Sequence, residues 1–502
     1  MTDAGTENEG PELHVLASLR RRVLRGSSWV MFARIASILL GTSINAMLAR
    51  LMTKDEVGVY FTSFTLVIVG TVIAQLGLDR AVVRLVAVSL GVGLPGRARE
   101  TIRRCLSIGT VAAVGVGAVL TFALGPTIVH HLYHSRALAY VVPITGGWLV
   151  AAAIQSLFVE TLRGLQRFDK ATIFDALIVD VLTATVLGAL FALGVRIGVG
   201  TAAGISAGMT MVAVIGGGMA LRTRYRDIHG EGHLERGAIL DMAWPSLITN
   251  VAIYLLGSGV DLLVLAAFRP QDQVALYGSA TRLVTLVATP LWILRGVMPP
   301  IIAELHAQGR RRELEHTLRA GATLASLPSL ALLIVFMLFG RGIMSTVYRP
   351  TYADGATVLA ILSFGRLFAV WSGACGITLI MTGHQKEMMY ITVCTGLTSV
   401  GLGILAAHQF GGVGVATATM SMALVQNALQ LLLVKRYVGV WTFAELSPRA
   451  LFRFFSKKGI AELAEQLSKA EGPRKRSDAE LAAEVQADGD QVFRSSPDEA
   501  DL

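Results

Sequence analysis

The sequence predicts an all-α polytopic membrane protein of about twelve transmembrane helices in two homologous six-helix bundles around a central cavity. Three observations predict it. Hydrophobic residues make up 53% of the chain and charged residues 16%, with a mean hydropathy of +0.59. A soluble domain carries roughly 25% charged residues. The apolar residues form continuous runs of about twenty, the length a bilayer requires, rather than the short alternating strands of a membrane barrel. Finally, matching segments recur about 214–219 residues apart. Val57-Gly58-Val59-Tyr60 returns as Val274-Ala275-Leu276-Tyr277, and Gly125 with Tyr133 as Gly340 with Tyr348. Gly164-Leu165-Gln166 returns as Gly383-His384-Gln385, and Gly198-Val199-Gly200 as Gly412-Val413-Gly414. Such internal repeats are a common plan for transporters, with the substrate site where the repeats meet.

The elements follow in order. Residues 1–26 form a polar tail with no signal-peptide pattern in 1–19. The first bundle, 27–222, holds spans near 27–51, 57–78, 105–125, 138–160, 172–194 and 198–220. A polar linker, 223–237, leads to the second bundle, 238–436, with spans near 240–267, 274–302, 318–340, 356–381, 388–407 and 412–434. Gly204 and Gly208 in the sixth span make a small-xxx-small pattern expected to let helices approach closely within the monomer. The tail, 437–502, carries an amphipathic stretch over 449–470 and then a polar, charged remainder of the composition of disordered chain.

Basic residues set the orientation. Arg20–Arg22 and Arg25 precede the first span, and Arg97, Arg99, Arg103 and Arg104 follow the second. Arg163, Arg167 and Lys170 follow the fourth, Arg222, Arg224 and Arg226 the sixth, Arg310–Arg312 the eighth. Lys386 follows the tenth, and Lys435 and Arg436 the twelfth. Lys and Arg are retained on the cytoplasmic side, so both termini are expected there. This retention also explains the net charge of +9 without nucleic acid, for which no basic stripe with interleaved aromatics stands outside the spans.

Little points to catalysis. There is no phosphate-binding Gly-rich loop of the Walker type, no long outer loop to house an enzyme domain, and no cofactor motif. His130, His131 and His134 lack a carboxylate or thiol to complete a metal site and read as a solvated loop. Cys105, Cys375 and Cys394 lack metal-ligand spacing and read as small core residues.

Ionisable groups inside spans are expensive to bury and are the functional candidates. They are Arg34, Asp180, Asp261, Arg282, Arg295 and Arg366. Arginine outnumbers aspartate, so a cavity lined this way suits an anion, with guanidinium matched to phosphate oxygens. Arg34 and Arg366 have no carboxylate at matching depth in their own hairpins (Arg34 has only Gln75, which does not neutralise it), so these two are expected to be the better substrate-binding candidates. Arg295 follows the helix-bending Pro290. Asp261 and Arg282 fall at the same depth either side of the 268–273 loop, so a bracing ion pair is expected, with a cavity role for Arg282 the alternative. Asp180 joins Asp261 as a coupling or structural carboxylate. Asp175 is expected to pair with Lys170 or Arg167 near the interface.

The segment from Arg25 to Val86 resembles the polysaccharide biosynthesis (polysaccharide transporter) family of the multidrug/oligosaccharidyl-lipid/polysaccharide flippase superfamily. Arg25-Gly26-Ser27, Ala49-Arg50-Leu51, Glu56-Val57-Gly58-Val59-Tyr60 and Leu76-Gly77-Leu78-Asp79 carry the resemblance. Arg163 to Phe168 and the stretch from Asp261 to Tyr277-Gly278 extend it. The resemblance implies two six-helix bundles that move undecaprenyl-pyrophosphate-linked oligosaccharides to the outer leaflet of a bacterial or archaeal cytoplasmic membrane. It implies membrane lipid and polysaccharide-assembly proteins such as a glycan polymerase as partners. Drug/cation antiporters of the superfamily tend to use cavity carboxylates and are the alternative, as is a membrane glycan polymerase or ligase. Lipid II flippases usually carry two further helices after the twelfth, from which the polar tail departs.

Overall fold

Backbone polar groups inside a bilayer must be satisfied within their own segment, so each long apolar run should close into a helix. The computed structural model describes residues 33, 35–125, 136–230, 237, 239, 243–244, 246–248, 250–251 and 260–445, and among them there is no strand. Nine helices of the described residues are long and apolar enough to cross a membrane.

The first half begins with α1 (Ile35–Leu51). Thr53 starts α2 (Lys54–Ala74) through a capping box: its hydroxyl accepts from the Glu56 amide, and its own amide donates to the Glu56 carboxylate at 2.9 Å. This satisfies two orphan donors of the first turn. A separate helix, α3 (Leu78–Gly91), follows; it is amphipathic and buries Leu78, Ala81, Val82 and Leu85 against its neighbours. Then come α4 (Pro95–Ala118), which runs into a π-turn at Val119–Leu124, and α5 (Arg136–Gly164). The helix α6 (Phe168–Ala192) contains a second π-turn at Ile173–Leu177, and α7 (Val199–Asp227) ends the half.

The second half contains α8 (Val260–Phe268), α9 (Gln271–Ala307), α10 (Arg311–Val347), a 3-10 turn at Pro350–Gly355, α11 (Ala356–Trp371) and α12 (Cys375–Met381). Last is α13 (Gln385–Tyr437), which Gly411 (φ 61°, ψ −141°) folds into a hairpin; Gln426 donates to the Thr392 hydroxyl across it at 3.5 Å. With the two arms of α13, with α1, and with the seventh span, of which the described residues cover parts, the architecture is that of about twelve membrane helices.

Several expectations are corrected. The helix α7 continues to Asp227, into the stretch read as linker. Gly204 and Gly208 face open space, with no neighbour within 4 Å of where a Cβ would stand, so among the described residues this face brings no helices together. Cys394 is exposed, while Cys105 and Cys375 are buried. The tenth span is cut between α11 and α12. The amphipathic stretch over 449–470 and His130, His131 and His134 lie outside the described residues.

The turns gather at two ends. At the arginine-rich end, the Arg99 guanidinium lies over the Tyr225 ring at 5.1 Å and His384 stacks on Tyr437 at 4.6 Å. At the opposite end, the Ile197 amide donates to the Leu51 carbonyl at 3.2 Å, and Arg269 donates to the Ala407 and His408 carbonyls, each at 2.8 Å.

The halves meet along α2 and α9, the helices that carry the repeated Val57–Tyr60 and Val274–Tyr277 segments. Gly58 permits that approach, because a Cβ there would stand 2.0 Å from the Gln271 carbonyl oxygen. A reciprocal contact closes the same end. Arg50 donates to the Tyr348 carbonyl at 3.2 Å and to that of Thr346, while Arg349 donates to the Met52 carbonyl at 3.1 Å and to that of Arg50. Each guanidinium thus covers the carbonyl-rich C-terminal end of a helix in the other half, where a cation is favoured.

Candidate functional site

A cavity of about 430 Å3 opens in the first half, with one guanidinium reaching in from the second. It extends from Tyr60 and Arg282 in the middle of the spans to Arg163 and Thr172 at the arginine-rich end. Its polar lining comes from α1 (Ser37, Thr42, Asn45), α6 (Asp175, Asp180, Thr183) and α9 (Arg282, Thr285). An aromatic wall faces them: Tyr60, Phe64 and Trp148 pack with ring centroids 5.7–6.5 Å apart. The rings are aimed by α7, where Ser206 shares a hydrogen bond with the Tyr60 hydroxyl at 2.9 Å and Thr210 accepts from the Trp148 indole at 3.1 Å.

The Arg282 guanidinium sits over the Phe64 ring at 4.5 Å and the Phe61 ring at 5.7 Å. Ring quadrupoles attract the cation without neutralising it, leaving its N–H fork to find an acceptor. Asp180 is the carboxylate whose field it feels, yet no ion pair between the two forms. The ion pair expected between Asp261 and Arg282 is absent as well. Asp261 instead accepts from the Tyr277 hydroxyl at 3.3 Å, with the Thr419 hydroxyl beside it and Arg366 as its cationic neighbour. The reason is rotational. Equal depth brought Arg282 level with Asp261, but it stands five residues past Tyr277, about 140° around the helix at 100° per residue.

The charges therefore divide into two groups, one at the first-half cavity and one within the second half. Arg282 and Asp180 face the cavity. Asp261, Arg366 and Arg295 gather in the second half, where Arg366 is exposed and Arg295 lies over the Trp292 ring at 6.0 Å, near Cys375. Arg34 lies outside the described residues, although Ala33 and Ser37 line the cavity. Gln75 donates to the Ser156 hydroxyl at 2.7 Å.

At the arginine-rich mouth, Arg163 pairs with Asp175 at 2.8 Å and with Glu160, while Arg167 pairs with Asp169 at 3.2 Å. The expectation that Asp175 pairs with Arg167 or Lys170 is corrected. The π-turn of α6 displaces Asp175 from the regular helical register, and Gln155 donates to the Phe174 carbonyl there at 2.8 Å. Such insertions mark functional places in helices. Nothing in the residue types of Ile173–Leu177 announces it. The hydroxyl-bearing residues of α1 and α7, also missed, carry a readable signal in Ser37, Thr42, Ser206 and Thr210 within apolar runs. Among the described residues, no group of three metal-ligating side chains assembles.

This architecture is the fold of solved membrane transporters of the multidrug/oligosaccharidyl-lipid/polysaccharide (MOP) superfamily, which match it at low sequence identity. An inward-facing multidrug resistance MATE family transporter matches with a TM-score of 0.64 and 15% identity, over 80% of this chain and 94% of that one. The lipid II flippase MurJ in an inward closed conformation matches with a TM-score of 0.64 and 13% identity, over 87% and 92%. An outward-facing MATE family transporter matches with a TM-score of 0.57 and 16% identity, over 83% and 95%. A search of curated protein sequences finds no match. The family model for polysaccharide biosynthesis proteins matches residues 23–306, and the MatE model matches residues 245–405. The chain belongs to the polysaccharide biosynthesis protein family.

Proposed function

We propose that this protein is a flippase that carries an undecaprenyl-pyrophosphate-linked oligosaccharide from the cytoplasmic to the outer leaflet of a bacterial or archaeal cytoplasmic membrane, by alternating access. The observation that carries the reading is Arg282, a guanidinium held over the Phe61 and Phe64 rings at a largely apolar cavity, with no carboxylate among the described residues bound to it. Its fork matches pyrophosphate oxygens, and hydroxyls and amides of α1 and α6 offer hydrogen bonds to sugars. The arginine-rich end is assigned to the cytoplasm by its Lys and Arg excess. The cavity reaches that end, while the Arg50–Arg349 contact closes the other. Arg366 and Arg295 supply a second cationic group in the other half, and Arg34 a further candidate from sequence. Asp180 and Asp261 are assigned to cation coupling or to bracing these cations. Glycan polymerases or other polysaccharide-assembly proteins are the partners that would consume the product.

A drug/cation antiporter is the second reading, favoured by the MatE match over 245–405 and by those two carboxylates. Purified protein in liposomes separates the two. The flippase reading expects a fluorescent undecaprenyl-pyrophosphate glycan to become quenchable from outside faster than in empty liposomes, with no uptake of ethidium. Ethidium exchange against protons or sodium with no movement of the glycolipid would select the antiporter.

A further inference from the structure

The fourth membrane span of the first half, α5, runs unbroken from Arg136 to Gly164, whereas its repeat mate is cut into α11 and α12 at Ser372-Gly373-Ala374. A cut helix leaves carbonyls without partners. Here the chain leaving α13 takes them. The Ala444 amide donates to the Trp371 carbonyl and the Thr442 hydroxyl to the Ser372 carbonyl, both at 2.8 Å. Val438, Val440, Thr442 and Ala444 are buried, every second residue, as in an extended segment with one face inward.

The segment is also pinned from outside. Phe443 stacks on Trp371 at 5.3 Å and lies under the Arg319 guanidinium at 5.0 Å. Glu445 stands 3.6 Å from Arg319 and donates its amide to the Thr323 hydroxyl at 2.8 Å. Gly373 adopts φ +76°, and a Cβ there would stand 2.4 Å from the Thr442 carbonyl oxygen. The strap thus occupies the room that a side chain in the break would need.

We propose that residues 438–445 are a wedge that holds the tenth membrane helix in two pieces and thereby sets the position of the last turns of α11. Those turns carry Arg366, so the bearing on transport rests on the reading of Arg366 as a headgroup contact. The wedge makes the position of an intramembrane arginine of the second half depend on the chain that follows the last membrane helix. A continuous helix at this place, as in the first half, would carry Arg366 in a different relation to Asp261.

A native residue reports on the break. Cys375, the first residue of α12, is fully buried, and its thiol donates to the Gln430 side chain at 3.2 Å. In a Cys105→Ser, Cys394→Ser background of the full chain, alkylation by N-ethylmaleimide reads whether the break is sealed. Phe443→Ala and Gly373→Ala, one from each side of the contact, are expected to speed alkylation about ten-fold, equivalent to ~1.4 kcal/mol, in protein that still elutes as a folded species. Should Phe443→Ala fail to fold, Thr442→Val removes a single hydrogen bond and reads the same way with a smaller change. Cys375 protected as in the parent protein in all folded variants would overturn the wedge. Alkylation needs no substrate, so this result is independent of whether the flippase reading stands. Faster alkylation with undiminished glycan export would overturn the link to Arg366.

Discussion

At the scale of single residues, the proposed binding of an anionic headgroup rests on Arg282. Its loss removes charge-assisted hydrogen bonds worth roughly 1.5–3 kcal/mol each. Arg282→Gln is therefore expected to lower glycolipid binding ten- to a hundred-fold, with the protein inserted normally. Lysine keeps the charge but not the fork, so Arg282→Lys should recover only part; full recovery in a binding titration would reduce the role to charge alone. Asp261 serves as the complementary test. Since it meets Tyr277 and the field of Arg366 rather than Arg282, the stability effects of Asp261→Asn and Arg282→Gln should add in a double-mutant cycle. A coupling above ~1 kcal/mol between them would restore the direct ion pair. The sequence showed which residues carry charge inside spans and at what depth. Which carboxylate faces which cation was hidden, because depth follows from counting residues but azimuth depends on how neighbouring helices rotate.

At the scale of elements, the α2–α9 contact and the Arg50–Arg349 pair form the closure at the end away from the arginine-rich loops. Each guanidinium on a helix C-terminus contributes roughly 0.3–1 kcal/mol, so Arg50→Gln with Arg349→Gln should shift the conformational balance several-fold toward opening at that end. A cysteine placed at Ser279, fully buried beneath this contact, reads the shift. Its labelling by an impermeant thiol reagent should rise in the double variant, and unchanged labelling would remove the pair from gating. Gly58→Val meets the Gln271 backbone directly and should force the same opening more strongly. The repeated Val57–Tyr60 and Val274–Tyr277 segments announced where the halves touch. The π-turn in α6, the extra helix α3 and the break after α11 were illegible. Each depends on tertiary partners, such as Gln155 for the π-turn and Thr442 for the break, that lie far away in sequence.

At the scale of the whole molecule, apolar blocks and the recurrence of four anchors made the two-bundle plan readable, because bilayer thickness and the cost of bare backbone leave few alternatives. Orientation is the next property to test. Reporter fusions after Arg224 and Lys435 should read cytoplasmic, and those after Arg136 and Arg349 external. An external signal at Arg224 would contradict the twelve-span arrangement with both ends inside. The substrate was less legible than the fold, since the cavity is assembled from six helices and the anion preference proposed for it rests on one guanidinium brought across from the second half. The most direct measurement is the leaflet distribution of lipid-linked glycan in cells depleted of this protein and complemented with wild type or Arg282→Gln. Depletion should trap a pyrophosphate-linked glycolipid in the cytoplasmic leaflet, wild type should release it, and Arg282→Gln should not. A glycolipid distribution unchanged by depletion would contradict the assignment as a flippase.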